Sequence, residues 1–307
     1  MNYTLHQLQI FLKIAQLESI TKASEELHLT QPAVSIQLKN FQEQFAIPLT
    51  EVIGRKLYIT EFGQEIASAA EKILNEVNAI NYKTLAFQGK LSGKIKISVV
   101  STGKYVMPFF LSEFMKAHEG LELIMDVTNK QRVIETLENN ETDFALVSVL
   151  PEKLRVNKVE LMANKLFFVS SSSKKFRKVP LSKNEFEKLP LIFREYGSAT
   201  RNAMETFITQ GNYSNAKKIE LTSNEAVKQA VISDLGCSVM PLIGLKNELM
   251  NNDVSIVPIK GLPIMTSWNI IWLESKKLSP AALAYLDFIN VEKQSIIEKS
   301  FGWIENY

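Results

Sequence analysis

One cysteine, Cys237, in 307 residues excludes an internal disulfide, and with only three histidines no metal-ligand cluster is available. Cys237 therefore reads as a packing residue beside Gly236. No apolar run reaches the ~20 residues needed to cross a bilayer, and the amino end lacks the charged-then-apolar order of a secretion signal. The expectation is a cytoplasmic protein with no membrane segment. H-E-x-x-H, G-x-x-x-x-G-K-[ST] and G-x-G-x-x-G are all missing, so zinc hydrolysis, nucleotide hydrolysis and dinucleotide docking gain no support, and no cofactor is expected. Aspartate is missing from residues 1–93, where eight Lys or Arg stand against nine Glu for a formal net charge of −1, although the whole chain carries +2. What is present is a globular composition, 46% hydrophobic, without a low-complexity tract and long enough for two or three compact units.

Residues 19–45, SITKASEELHLTQPAVSIQLKNFQEQF, carry the most information. They read as two short amphipathic helices joined by a tight turn, the layout of a helix-turn-helix. Ser19 is placed to cap the first helix, while Ala23 and Leu27, four apart, give an inward face narrow enough for a close crossing. Thr30 is placed to cap the next helix, with Pro32 in its first turn, where a missing N–H costs little. Val34, Leu38, Phe41 and Phe45 share one stripe and face a core. The opposite side carries Gln31, Pro32, Ser35, Ile36 and Lys39. An isoleucine there is poor surface chemistry but suits a thymine methyl in the major groove, Gln31 and Gln37 suit base edges, and Lys39 suits phosphate. An ordinary three-helix bundle with one exposed isoleucine is the plainer reading.

The flanks complete a module. Leu5, Leu8, Phe11, Leu12 and Ala15 mark a first helix, and Pro48 is placed to stop the extension of the second reader helix. LTEVIGRKLYIT, residues 49–60, alternates around Gly54 like a hairpin, with Arg55 and Lys56 just past its turn, giving a wing able to reach sugar and phosphate. Because the module is not basic overall, phosphate affinity falls to Lys22, Lys39, Arg55 and Lys56, multiplied by several subunits on one site. From Thr60 to about Gln88 a helical stretch spaces Ile66, Ala70, Ile73, Val77, Ile80, Thr84 and Phe87 alternately by four and three, a seam that wants a partner helix. The alternative is a lone amphipathic helix. A dimer would offer two reader helices to a two-fold-related site.

Past GKLSG, residues 89–93, the periodicity changes. Ile95, Ile97 and Val99 begin a strand, a helix runs through Phe110 to Met115, and LELIMDV, VIETLENN and DFALVSV follow as strand, helix and strand. KLFFVSS, PLIFRE, KKIELTS, GCSVMP and SWNIIWL read as further buried strands, with helices near 199–210, 223–233 and 280–290. This alternation predicts an α/β class with largely parallel sheets, in two units about a cleft beyond the strand ends, where helix N-termini attract anions. Two strand-end clusters fit such a cleft. STGKY gathers Ser101, Thr102, Lys104 and Tyr105, and REYGSATR gathers Arg194, Ser198, Thr200 and Arg201 around Gly197. Hydroxyls and cations together suggest a small phosphorylated or carboxylated ligand, against the alternative of helix caps and solvated cations.

On KASEELHL, TQPAVS and LYITEFGQE, the chain resembles the LysR-type transcriptional regulators along essentially its whole length. Through VVSTGKY, REYGSATR, SNEAVKQAV, and GLPI followed by KKLSPAALAYLDF, its second part is similar to the branch of carbon-fixation operon regulators. The resemblance implies an α/β protein with an N-terminal winged helix-turn-helix (1–60), a long linker helix for dimerisation and a hinge (61–93), then a periplasmic-binding-protein-like effector domain (94–307). That domain would have two subdomains, about 94–163 with 268–307, and 164–267. It implies double-stranded promoter DNA as partner, read by Thr21, Lys22, Thr30, Gln31, Pro32, Ala33, Ser35, Ile36, Gln37, Lys39, Arg55 and Lys56. It also implies a homodimer, often a homotetramer that bends DNA, and a small anionic metabolite effector. The effector residues are Ser101, Thr102, Lys104, Tyr105, Asn129, Lys130, Arg194, Ser198, Thr200 and Arg201. The chain departs from the family at Thr50 and Val52 in the wing, at Thr128–Gln131, at Ser148 and Val149, and at Ala199.

Two other function classes are weighed. Ser101 and Lys104 form S-x-x-K, in which a lysine can activate a serine nucleophile, but no S-D-N or K-T-G triplet accompanies it, so no catalytic residue is assigned. A solute-binding receptor would explain the cleft, yet it has no use for the N-terminal module.

Overall fold

The computed structural model describes residues 3–54, 56–87, 91–177, 179–214 and 217–307, in two compact units, Met1–Gly89 and Lys90–Tyr307. In the first unit, α1 (Leu5–Leu17) opens on a capping box in which Thr4 and Gln7 satisfy each other's backbone N–H. Its inner face is Leu8, Ile10, Phe11 and Ile14, whereas Leu5, expected inside, is exposed. Then come α2 (Ile20–Glu26) and α3 (Gln31–Gln42). The turn between them passes through His28 at φ +53, a left-handed geometry that histidine tolerates better than β-branched residues. Ala23, Val34, Leu38 and Phe41 are buried as expected.

Phe45 departs from the expected stripe because α3 ends at Gln42, before Pro48 is reached. Gln42 captures the backbone instead: its Oε1 accepts from Leu49 N–H at 2.7 Å and its Nε2 donates to the Ile47 carbonyl. Phe45, half-buried in the following turn, packs back on Phe41 with ring centroids 5.1 Å apart. The wing is β1 (Thr50–Ile53) paired antiparallel with β2 (Lys56–Ile59), turning at Gly54, φ +66. The long helix α4 (Glu61–Phe87) sends Ala67 and Ala70 into the core of this unit, with Phe62, Ile66 and Leu74 packed against it. Of the expected seam, Ile66 and Ala70 thus serve the internal core, while Ile73 and Ile80 are exposed; the side chains of Thr84 and Phe87 lie outside the described residues.

The second unit is built on a seven-stranded mixed sheet. Parallel strands β3 (Ser92–Val100), β4 (Gly120–Thr128) and β5 (Phe144–Val147) are connected through α5 (Met107–Ala117) and α6 (Lys130–Glu138). The 16-residue strand β6 (Val156–Ser171) then runs antiparallel to β11 (Ile264–Leu273), which also pairs with β5. Beyond the β6–β11 register shift at Trp268/Asn269, the far half of β6 carries β9 (Ser238–Pro241) and β10 (Val254–Ile256). So β6 and β11 run through two lobes, and the expectation of largely parallel sheets holds only for β3–β5 and for the separate pair β7 (Leu191–Arg194) and β8 (Lys218–Leu221). The second lobe is completed by α7 (Lys183–Glu187), α8 (Ala199–Gln210), α9 (Asn224–Ile232) and α10 (Lys246–Met250).

Helix α11 (Pro280–Phe301) runs eleven residues past the end near 290 that the sequence suggests, and closes in a 3-10 turn at Gly302–Asn306. The tail packs on its own unit. Phe301 stacks on Phe110, Ile304 is buried, the Ile304 carbonyl accepts from Lys165 Nζ at 3.2 Å, and Lys246 Nζ sits 5.7 Å from the Trp303 ring.

Candidate functional site

The first unit exposes cations and amides on α2, α3 and the wing together with apolar Ile36, Val52 and Ile53. Ser19 Oγ accepts from Lys22 N–H at 3.3 Å, fixing the start of α2 and leaving Thr21 and Lys22 exposed. Thr30 occupies the N-cap position of α3 with extended backbone, but its side chain makes no capping bond, contrary to the sequence expectation. Pro32 removes one of the two N–H groups that a cap can bond, and the threonine hydroxyl does not bond the other, on Ala33. Gln31 and Pro32 are exposed, Ala33, Ser35 and Gln37 half-buried, and Ile36 is 58% exposed. Lys39 is exposed and sits 3.9 Å from Glu43, a loose pair that leaves its charge available to phosphate. On the wing, Lys56 Nζ lies 5.2 Å from the Tyr58 ring; Arg55 lies outside the described residues.

In the second unit the two strand-end clusters meet. A 3-10 turn, Gly103–Tyr105, intervenes between β3 and α5, so Ser101 and Thr102 precede that turn rather than opening the α-helix. Gly103 is required there, since a Cβ would stand 2.6 Å from Val99 Cγ1 and 2.8 Å from Leu146 Cδ2. Across the cleft Arg194, 3% exposed, ends β7. Its Nη2 donates to Ser101 Oγ at 2.9 Å, and Glu195 takes Nε and Nη2 in a two-point pair at 2.7 and 2.8 Å. Arg194 Nη1 is buried without a hydrogen-bond partner among the described residues, which costs free energy unless an acceptor arrives. Thr102 is buried, and Lys104 is half-buried with its Nζ 5.1 Å from the Tyr105 ring. Ser101 Oγ therefore bonds an arginine and Lys104 lies against an aromatic ring, so the S-x-x-K pair does not form a nucleophile–base contact.

Gly197, φ +83, turns the chain into α8, with Ser198 at its N-cap; Ser198 and Thr200 are buried. Arg201 is committed within its own lobe. Nε donates to Glu205 at 2.9 Å, and Nη1 donates to Glu220 at 2.6 Å and to the Arg194 carbonyl at 2.8 Å. The guanidinium also lies 3.8 Å from the Tyr196 ring. Burial pulls its pKa down, but the bonds it donates to Glu220 and Glu205 outweigh that and leave it above the usual arginine range. Its position fixes Arg194 rather than leaving it a free cation.

Asn129 caps α6 by accepting from Arg132 N–H at 2.9 Å. Lys130, half-buried with its pKa lowered by burial, joins Gln131, Ile134, Glu135, Gly197 and Asn202 around an open groove of about 380 Å³. Tyr105 reaches the second lobe: its hydroxyl donates to Glu225 at 3.2 Å and accepts from Asn224 at 3.4 Å. Sequence reasoning assigned no role to Glu195, Asn224, Glu225, Lys228 and Glu248, although REYGSATR and SNEAVKQAV carry the first four and the Glu225–Lys228 spacing suits an ion pair. Among the described residues there is no group of three His, Cys, Asp or Glu that could hold a metal, and no helix is long and apolar enough to cross a membrane.

Comparison with known proteins follows the same division. A family model described as "Bacterial regulatory helix-turn-helix protein, lysR family" matches residues 5–64, and one described as "LysR substrate binding domain" matches residues 88–292. The chain is 36% identical over 301 residues to the HTH-type transcriptional activator CmpR of Synechocystis sp., covering 96% of this chain and 97% of that relative. It is 32% identical over 287 residues to a RuBisCO operon transcriptional regulator of Acidithiobacillus ferrooxidans, covering 93% of each. Among solved structures, the CcmR regulatory domain of Synechocystis PCC6803 in complex with 2-PG matches with a TM-score of 0.62 and 30% identity, over 64% of this chain and 96% of that one.

Proposed function

Because the chain belongs to the LysR family of bacterial transcriptional regulators, we propose that a small phosphorylated carboxylate of the 2-phosphoglycolate (2-PG) type, held between Ser101–Thr102 and Arg194, controls how it grips promoter DNA. The observation that carries this is the Arg194 guanidinium, almost fully buried, joined to the opposite lobe through Ser101 and left with Nη1 unpaired. An anionic oxygen supplies the acceptor that Nη1 lacks. Since Glu195 already neutralises Arg194, the positive charge for an anion comes from Lys104 and Lys130, neither of which is in an ion pair among the described residues, although Glu152 acts on Lys130 from nearby. Ser198 and Thr200 add hydroxyls at the start of α8, and Asn129 orients α6 at the rim.

DNA reading rests on Thr21, Lys22, Thr30, Gln31, Pro32, Ala33, Ser35, Ile36, Gln37, Lys39, Arg55 and Lys56. Exposed Ile36 and Gln31 are the base-reading pair, and the lysines position the backbone. A homodimer through α4, and a homotetramer on two neighbouring dyads, multiply contacts that one module of net charge −1 makes only weakly. The boundaries run 1–60, 61–93 and 94–307, with lobes 94–163 plus 268–307 and 164–267. Its place is the cytoplasm, where the promoter is. Ligand binding between the lobes shifts their angle and hence the DNA bend, which requires different ligand affinities for the two arrangements.

The experiment is a calorimetric titration of the full-length protein with 2-PG, beside a gel shift on the DNA upstream of its own coding region. Specific retardation, altered by 2-PG in the wild type and not in Arg194→Ala, supports the reading. A purified dimer that gives no specific band refutes it.

A further inference from the structure

We propose that Tyr105, Asn224, Glu225, Lys228 and Glu248 form an interlobe latch, a set of positioning residues that holds the Ser101–Thr102 turn against the second lobe and sets how tightly the cleft keeps its ligand. The ligand arm of this inference rests on the effector-cleft reading above. Tyr105 closes the same 3-10 turn that follows Ser101 and Thr102, its N–H donating to the Thr102 carbonyl at 3.4 Å, so displacement of the ring drags the ligand-facing hydroxyls. On the other side everything belongs to one lobe. Asn224, 2% exposed, and Glu225 open α9 and receive the phenol, and Glu225 is 3.1 Å from Lys228 Nζ. Lys228, 8% exposed, is 2.6 Å from Glu248 on α10, which ties α9 to α10.

The fit is close. A Cβ on Gly244 would stand 2.9 Å from Tyr105 Cε2 and 3.2 Å from Asn224 Nδ2, so that glycine is what lets the ring in. Burial raises the Tyr105 pKa and keeps the phenol a donor. For Glu225, burial acts upward, yet the hydrogen bonds from Lys228 and Gln229 prevail and keep it a charged acceptor. At 3.2 Å the phenol–carboxylate bond is long for its kind, so the latch depends on the close seat of the ring as well as on the bond. Since the lobes share the continuous strands β6 and β11, one such contact beside the cleft is enough to bias their angle.

The test uses the full-length protein and two variants, Tyr105→Phe, which deletes only the hydroxyl, and Glu248→Gln, which touches neither Tyr105 nor the cleft. The first readout needs no ligand. Amide hydrogen exchange over residues 102–106 rises about tenfold in Tyr105→Phe and by less in Glu248→Gln, with β3 and β5 unchanged. Unchanged exchange at 102–106 overturns the latch whatever the ligand is. The second readout is 2-PG affinity, expected to fall about tenfold in Tyr105→Phe while the melting temperature holds. Equal affinity with raised exchange overturns the coupling to the cleft. A wild type that ignores 2-PG refutes the effector class proposed above, and the exchange result still decides the latch.

Discussion

Arg201 Nη1 holds the Arg194 carbonyl at 2.8 Å, so one arginine fixes the backbone of the other, and Arg194 in turn reaches Ser101 at 2.9 Å across the cleft. The two arginines of REYGSATR look equivalent in sequence and are not equivalent in space. One faces the opposite lobe with an unsatisfied nitrogen, and the other is spent on two carboxylates and a carbonyl.

Arg201→Ala is therefore expected to damage the fold and not only the response to ligand. It leaves Glu205 and Glu220 without their partner and frees the end of β7. Because those carboxylates are 41% and 50% exposed, solvent screens part of the loss. A cost of about 1–3 kcal/mol follows. Thermal unfolding of the full chain measures it, and an unaltered melting temperature with a lost effector response would assign Arg201 to the ligand instead.

Gly63→Ala should unseat the wing. A Cβ at Gly63 would lie 2.0 Å from the Leu49 carbonyl oxygen and 2.8 Å from Ile59 Cγ2, and a backbone oxygen cannot swing away. Thr60 Oγ meanwhile donates to the Pro48 carbonyl at 2.6 Å and accepts from Gly63 N–H at 2.9 Å, so the start of α4 and the base of the wing move together. Overpacking of this kind costs about 3 kcal/mol. Circular-dichroism melting and a gel shift should both register it; wild-type behaviour in either would show that the strands shift freely.

Much of the architecture is legible in the chain because its periodicities are strong: the Val34, Leu38, Phe41 stripe, the Gly54 turn and the strand at Ile95–Val99 all fold as their spacing directs. The first half of β6 is not, since Lys158 and Glu160 face solvent there and hide a strand that is apolar only further on. Missing that half hides the antiparallel β6–β11 pair, and with it the mixed character of the sheet. The end of α11 escapes for a similar reason: Glu292, Lys293 and Gln294 interrupt the apolar pattern before Ile296 and Phe301 resume it. At the site, single-residue chemistry is readable but pairing is not. Tyr105 and Asn224 lie 119 residues apart, and nothing local marks them as neighbours.

Ile36→Ala tests the reading face. The side chain is 58% exposed on α3, so its removal leaves no core cavity and stability should hold. Specific binding should weaken by about 1–3 kcal/mol at one base pair while non-specific binding is spared. The same titrations should give a modest salt slope, because the first 93 residues carry no excess of positive charge. Equal weakening on specific and random duplexes would remove Ile36 from base readout.

Cys237 should be inert in the native protein. The thiol is buried, and burial pushes its pKa up to about 11, so at pH 8 almost none of it is thiolate. A disulfide exchange reagent at that pH should label one thiol per chain only after denaturant is added. Rapid labelling without denaturant would mean that the segment around Gly236 opens readily.

Deletion of residues 302–307 separates two roles for the aromatic tail. If the tail docked on a neighbouring subunit, its loss would lower the oligomeric mass in sedimentation. The structure instead buries Ile304 to 5% exposure within its own unit, with its carbonyl bonded to Lys165 on β6 and Trp303 set against Lys246 on α10. The first lobe reaches the same tail through Phe301 and Phe110. Removing one buried aliphatic side chain and part of an indole contact costs about 2–4 kcal/mol. The truncated protein should thus melt at lower temperature while sedimenting as the same oligomer, and a fall in mass at unchanged melting temperature would place the tail in an interface between subunits.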